Sequence, residues 1–170
     1  MVVSTDVWHV EHHEEVLVLY GKVSVRWAAL DLLLVQILST ALSNPSAAQD
    51  LIFNGASFGK NRLETFNRAI GASRFTQEER EALLALTKKA ADLLGARNDI
   101  VHSPLVVNLS LEGNSIVPKL TRINRQRKAT ELSIKKIKGH IAAIGRVLSD
   151  LEDMAQELDL KCDPIDPDDV

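Results

Sequence analysis

Between Leu132 and Met154, apolar side chains return every three or four residues, through Ile134, Ile137, Ile141, Ile144, Val147, Leu148 and Leu151. That period lays one continuous stripe along a helix, and no regular strand can bury it. The spacing predicts a helix over about 130–158. A second stripe, built from Ala29, Leu30, Leu33, Leu34, Ile37, Leu38, Ala41 and Leu42, predicts a helix over about 23–43. Asn44-Pro45-Ser46 ends it, because the residue before a proline avoids the α region. The pattern leaves open whether residues 6–20 form a separate helix or join this one through Gly21. Each stripe must be covered by another. With aromatics at 4% of the 170 residues, the covering surface has to be aliphatic, which suits packed helices better than a large β-sandwich.

The rest of the chain fits that plan. A short helix is expected near 47–53, followed by an Asn54-Gly55 turn. The next runs from about Ser57 to Gly71 and carries Phe58, Leu63, Phe66 and Ile70. Thr76-Gln77-Glu78-Glu79 has the form of a capping box, in which the first and fourth residues each satisfy a free amide of the other. It opens a helix with Leu83, Leu86, Ala90, Leu93 and Leu94 on its buried face, closing at about Ser103 before Pro104. Leu105, Val107, Leu109 and Leu111 then alternate with polar or smaller residues at a period of two. Gly113-Asn114 supplies a turn, and residues 115–120 return as a strand that Pro118 confines to an edge. The expected fold is all-α: a four- to five-helix bundle with a small β-hairpin before the last helix. It forms one domain over 1–160, followed by an acidic flexible tail over 161–170.

Composition narrows the setting. A single cysteine, Cys162, forms neither an internal disulfide nor a Cys-rich zinc site, as expected of a reducing compartment. The first fifteen residues carry acids and histidines where a signal peptide needs basic and then apolar stretches. Residues 27–38, broken by Asp31 and Gln36, are too short to span a bilayer. The expectation is a soluble, cytoplasmic protein with no membrane partner. A formal net charge of −3 argues against broad, non-specific nucleic-acid binding. The mean hides a basic run, however: Lys119, Arg122, Arg125, Arg127 and Lys128, continued by Lys135, Lys136 and Lys138, are opposed locally by Glu131 alone. The first five are candidate RNA-phosphate contacts; the competing reading is a solvated basic face.

One constellation carries chemistry. Arg97-Asn98-Asp99-Ile100-Val101-His102 occupies the last turns of the capped helix, and Arg97 lies on the line of Leu86, Ala90 and Leu93, where a purely structural helix prefers an apolar residue. Asn98 and His102, four apart, share a face. An imidazole exchanges protons near neutral pH, a guanidinium grips phosphate oxygens with a planar fork, and an amide orients either. Together they suit RNA cleavage through the 2′-hydroxyl. His102 would take the proton, Arg97 would stabilise charge on the phosphate, and Asn98 would orient them, with no metal or other cofactor required. The leaving 5′-oxygen also needs a proton donor, which a two-fold dimer with a shared site would supply from a second His102. The alternative is a helix C-terminal cap, with Arg97 and His102 complementing free carbonyls and the dipole.

Arg97-Asn98 followed by His102 at the end of a helix resembles the RNA-cleaving signature of the HEPN superfamily. The stretch Phe53-Asn54-Gly55-Ala56-Ser57-Phe58-Gly59-Lys60 is also similar to segments of prokaryotic HEPN-like proteins. The likeness is sharp over six residues and loose over most of the helical chain. It implies a dimeric, metal-independent endoribonuclease with Arg97 and His102 as the catalytic pair and Asn98 as the polar residue beside them. It also implies roles in toxin–antitoxin, phage-defence or RNA-processing systems, with an antitoxin protein as a possible partner. HEPN-like proteins with weaker motifs include non-catalytic adaptors and regulators similar to mannitol-operon repressors. That is the alternative function, acting through protein–protein contacts.

Other polar features have simpler readings. His9 and His13 have a spacing that can bind a metal on a helix, but among Glu11, Glu14 and Glu15 they read as a solvated face. Asp31 is either a buried acid paired with Arg97 or Arg26, or an exposed residue at the edge of its helix. His140, after Gly139 on the basic helix, reads as a surface residue. No nucleophile elbow or Gly-rich phosphate loop is present.

Overall fold

The computed structural model describes residues 13–55, 59–112, 115–123, 129–131 and 133–161. They are mostly helical: α1 (His13–Leu42), α2 (Pro45–Gln49), a π-helical turn (Asp50–Asn54), α3 (Gly59–Gly71), α4 (Gln77–His102) and α5 (Ile134–Lys161). Strands β1 (Leu105–Glu112), β2 (Ser115–Ile123) and β3 (Ala129–Glu131) lie between α4 and α5 in the chain. The all-helical class with a small sheet ahead of the last helix is therefore observed. Contacts gather into two compact units, Met1–Val25 with Gly95–Ala142, and Arg26–Leu94 with Ala143–Val170. The expected tail beyond Lys161, and Ser57 and Phe58 of the predicted third helix, lie outside the described residues.

Local chemistry accounts for the helix limits. α1 runs unbroken through Gly21, which costs a helix about 1 kcal/mol relative to alanine but does not interrupt the buried row Val16, Leu19, Val23, Trp27. Ser43 ends it with a left-handed φ of 50°, the conformation that closes many helices. Asn44 then caps α2, its side-chain oxygen accepting from the Ala47 amide at 3.0 Å, with Pro45 in the first turn. The amide of Gly55 donates to the Asp50 carbonyl at 2.8 Å, five residues back, which makes the next turn π-helical. At α4 the capping box forms as its residues predict: the Thr76 amide donates to Glu79 at 2.9 Å and the Glu79 amide to Thr76 Oγ1 at 3.2 Å. α5 starts later than its apolar stripe suggests. Thr130 and Glu131 belong to β3, and Ser133 caps the helix by accepting from the Lys136 amide at 3.3 Å.

In the unit built on residues 26–94 and 143–170, four helices are tied pairwise by polar contacts around an aliphatic core. Asp31 of α1 pairs with Arg62 of α3, and Asn67 of α3 accepts from Thr87 of α4 at 2.7 Å. Lys89 of α4 meets Asp150 of α5 at 3.1 Å, and Asp159 of α5 accepts from Gln36 at 3.2 Å and from Thr40, both on α1. Gly145 leaves room for Arg26, whose guanidinium would lie 2.6 Å from an added Cβ. Leu30, Leu34, Phe66, Ile70, Leu83, Ile144 and Leu151 are fully buried between these ties. Of the two readings of Asp31, the buried acid is the one observed, and it pairs with Arg62, a partner that neither reading named.

In the other unit the strands form one antiparallel sheet in the order β1-β2-β3. Leu105 faces Arg122 and Leu109 faces Pro118, while β3 pairs only with Thr121–Ile123. Among the described residues β2 is therefore central at its end and open beside Pro118, where a missing amide costs nothing to a neighbour. The third strand was not expected from the sequence.

α1 is also longer than the apolar run within it, and by length and composition its Glu14–Leu42 span would suffice to cross a membrane. Its regular buried row and the Asp31–Arg62 pair are features of a helix packed on protein. Val18, Val25 and Leu32, at seven-residue intervals, nevertheless remain 56%, 70% and 61% exposed.

Two substitutions separate the core from the cap. Phe66→Ala is expected to destabilise by about 3–5 kcal/mol through an unfilled cavity, and Thr76→Ala by about 1 kcal/mol through a lost cap. Urea unfolding measures both, and equal losses would contradict a core centred on Phe66.

Candidate active site

Arg97, Asn98 and His102 lie in the last turns of α4, whose helical form depends on the capped, leucine-lined stretch before them. Arg97 and Asn98 are half-buried and His102 is exposed. Five residues turn about 140° around a helix, so Arg97 and His102 do not start on one face. The long guanidinium arm closes the gap. Its Nη1 donates to Asn98 Oδ1 at 2.9 Å and lies 3.0 Å from His102 Nε2. A guanidinium has only donors, so in this contact Nε2 is the acceptor.

The basic run behaves differently from the motif. Arg122 is half-buried on β2. Lys119 lies in β2 opposite Asn108, and its side chain is outside the description. Arg125, Arg127 and Lys128 lie outside the described residues. On α5, Lys135, Lys136 and Lys138 are exposed, and Lys138 is paired with Glu15 at 2.7 Å. The structure thus brings the motif together, whereas it places Arg122 on the wall of a cavity.

That cavity has a volume of about 170 Å³ and is lined by Tyr20, Asp99, Arg122, Ser133, Lys136 and His140 around Ile100 and Ile137. His140 is 9% exposed, and burial lowers its pKa. The expectation of a surface histidine is overturned. The signal was present in the stripe Ile137, His140, Ile141, Ile144, which sets His140 on the buried face of α5. Burial also raises the Tyr20 pKa, opposed by the nearby positive charge of Arg122. Tyr20 Oη and His140 Nε2 are both buried without a hydrogen-bond partner. Among the described residues, no group of three or more His, Cys, Asp or Glu is placed to hold a metal; His9 lies outside them, as does the side chain of His13.

Because His140 has a lower pKa folded than unfolded, the unfolded chain binds more protons as pH falls. The neutral ring carries no penalty well above pH 6.5, and stability declines as pH drops through about 6.5 towards the lower folded value. His140→Gln is expected to lose less stability than the parent between pH 7.5 and 5.5 in thermal unfolding. Parallel curves would contradict a buried neutral imidazole.

Comparison with protein-family models, with curated proteins and with solved structures returned no match to this chain.

Proposed function

We propose that this chain is a metal-independent endoribonuclease of the HEPN type, cleaving RNA through attack of the 2′-hydroxyl. The observation that carries the reading is the single guanidinium of Arg97 reaching both Asn98 and His102, at 2.9 and 3.0 Å. A phosphate arriving at Arg97 offers better acceptors than an imidazole, because charge-assisted bonds to phosphate oxygens are the stronger ones. Its arrival frees Nε2 of His102 beside the reacting group. Nε2 then removes the 2′-proton, the 2′-oxygen attacks phosphorus, and the P–O5′ bond breaks to leave a 2′,3′-cyclic phosphate. Arg97 stabilises the charge that develops on the phosphoryl oxygens, and Asn98 holds the guanidinium in place.

The leaving 5′-oxygen takes its proton from His102 of a second copy, which enters the step as the imidazolium while the first enters as the neutral base, in a homodimer with a shared site. The exposed apolar positions Leu17, Val18, Val25 and Leu32 of α1 support self-association. In this reading Arg122 and the basic residues Lys119, Arg125, Arg127 and Lys128 steer RNA. The enzyme acts in the cytoplasm as a toxin or phage-defence effector, restrained by an antitoxin protein.

The same apolar stripe favours a second reading, a non-catalytic adaptor or mannitol-repressor-like regulator that uses α1 for protein contact. Incubation of the purified chain with a mixed RNA pool in EDTA separates the two. The parent is expected to release 2′,3′-cyclic phosphate ends. His102→Ala and Arg97→Ala, checked for unchanged folding, should each lower the rate by about 10²–10⁴-fold, the range of a general base or an oriented electrostatic group. No cleavage by the parent, or equal cleavage by all three proteins, would replace the nuclease with the adaptor.

A further inference from the structure

The cavity beside α4 has no part in the chemistry assigned to Arg97 and His102, yet its wall is built for a ligand. Its volume of about 170 Å³ far exceeds the ~10–15 Å³ that holds one water, so it admits a polyatomic group. Arg122 and Lys136 bring two positive charges against the single acid Asp99. Ser133, which lines it too, is the N-cap of α5, so the amide end of a 28-residue helix adds its positive dipole. Ser133 Oγ accepts from the Lys136 amide and keeps its own proton to donate. Two further wall residues, Tyr20 and His140, hold hydrogen-bonding atoms that are buried with no partner, and His140 is more than nine-tenths buried. Leaving such groups unmet is costly, and a ligand that supplies acceptors removes that cost.

We infer that this cavity, walled by Tyr20, Arg122, Ser133, Lys136 and His140 at the N-terminus of α5, is a binding site for a phosphoryl group. Hydroxyls, guanidinium, ammonium and one imidazole tautomer all donate, and a phosphoryl group is rich in acceptors and negatively charged. A neutral apolar ligand would leave both orphaned atoms unmet. A cationic ligand would meet Arg122 and Lys136. The site lies apart from Arg97 and His102 in its residues, so it stands whether or not the chain cleaves RNA.

The test titrates the full chain with inorganic phosphate, with adenosine 5′-monophosphate and with a short 2′-O-methyl RNA that cannot be cleaved. Calorimetry gives the affinity, and the imidazole NMR signals of His140 report occupancy. At least one probe is expected to bind and shift those signals. Arg122→Gln should weaken binding tenfold or more. Tyr20→Phe, which deletes an idle hydroxyl, should leave thermal stability unchanged or raised yet weaken binding about two- to tenfold, the worth of one hydrogen bond. Arg97→Ala should leave the shift of the His140 signals by inorganic phosphate as in the parent, whatever it does to binding of the RNA. Binding of phosphate or the mononucleotide would identify a free small ligand. Binding of the RNA alone, with the same dependence on Arg122 and Tyr20, would identify a phosphate of the polymer. Failure of all three probes overturns the site, as does binding that neither Arg122→Gln nor Tyr20→Phe changes. Loss of nuclease activity in Arg97→Ala with phosphate binding intact would show that the two sites are distinct.

Discussion

Burial of aliphatic rows along long helices is the term on which the other features rest. Phe66 is the largest fully buried side chain, and around it the core is leucine, isoleucine and valine: Leu30, Leu34, Ile37, Leu83, Ile144, Leu151 and Leu158. Each contributes about 1.5–3 kcal/mol when withdrawn from water, but such side chains impose little direction on one another. What fixes helix against helix is the smaller set of polar ties. Asp31 is the sharpest of these, an acid with almost no exposure set in the apolar row of α1. Its pairing with Arg62 offsets part of the cost of desolvating the carboxylate. A sliding of α3 along α1 would strand both charges, so the pair specifies register more than it adds stability.

How much of this could be read from the chain follows the range of each interaction. The Thr76–Glu79 capping box spans four residues, and its two hydrogen bonds form as those residues predict. The helical stripes were equally legible because their period is local. Asp31 was legible as an anomaly, but its partner is 31 positions away and on another helix, beyond anything spacing conveys. Thr130 and Glu131 sit ahead of the apolar stripe of α5 with nothing in their own chemistry against a helix. Pairing with Thr121–Ile123 takes them into β3 instead, and Ser133 caps the helix two residues later. Here tertiary pairing outweighed local propensity, as it often does for short strands.

The candidate sites divide along the same line. Arg97, Asn98 and His102 fall within six residues of one helix, so their meeting needs only helix geometry and one long side chain. The cavity draws Tyr20 from α1, Asp99 from α4, Arg122 from β2 and His140 from α5, a grouping that no window of sequence contains. His140 shows how the two kinds of reading fail differently. Its neighbours Lys135, Lys136 and Lys138 suggest a solvated face, whereas its spacing from Ile137 and Ile144 sets it inside. Periodicity was the better guide, because burial is decided by position around the helix and not by the charge of adjacent residues.

The end of α4 has to serve both places at once. Successive residues turn about 100°, so Ile100 can face the cavity while His102, about 200° further on, occupies the far side of the same turn, with Asp99 at the margin between them. That division explains why the motif is not simply an exposed helix end. With Ile100 buried and Asp99 half-buried on one side, the backbone carrying Arg97 and His102 is anchored within one turn of both. A frayed terminus would let the guanidinium and the imidazole drift apart, since they start about 140° from each other. Holding them 3.0 Å apart requires a rigid final turn, and the aliphatic side of the cavity wall supplies it.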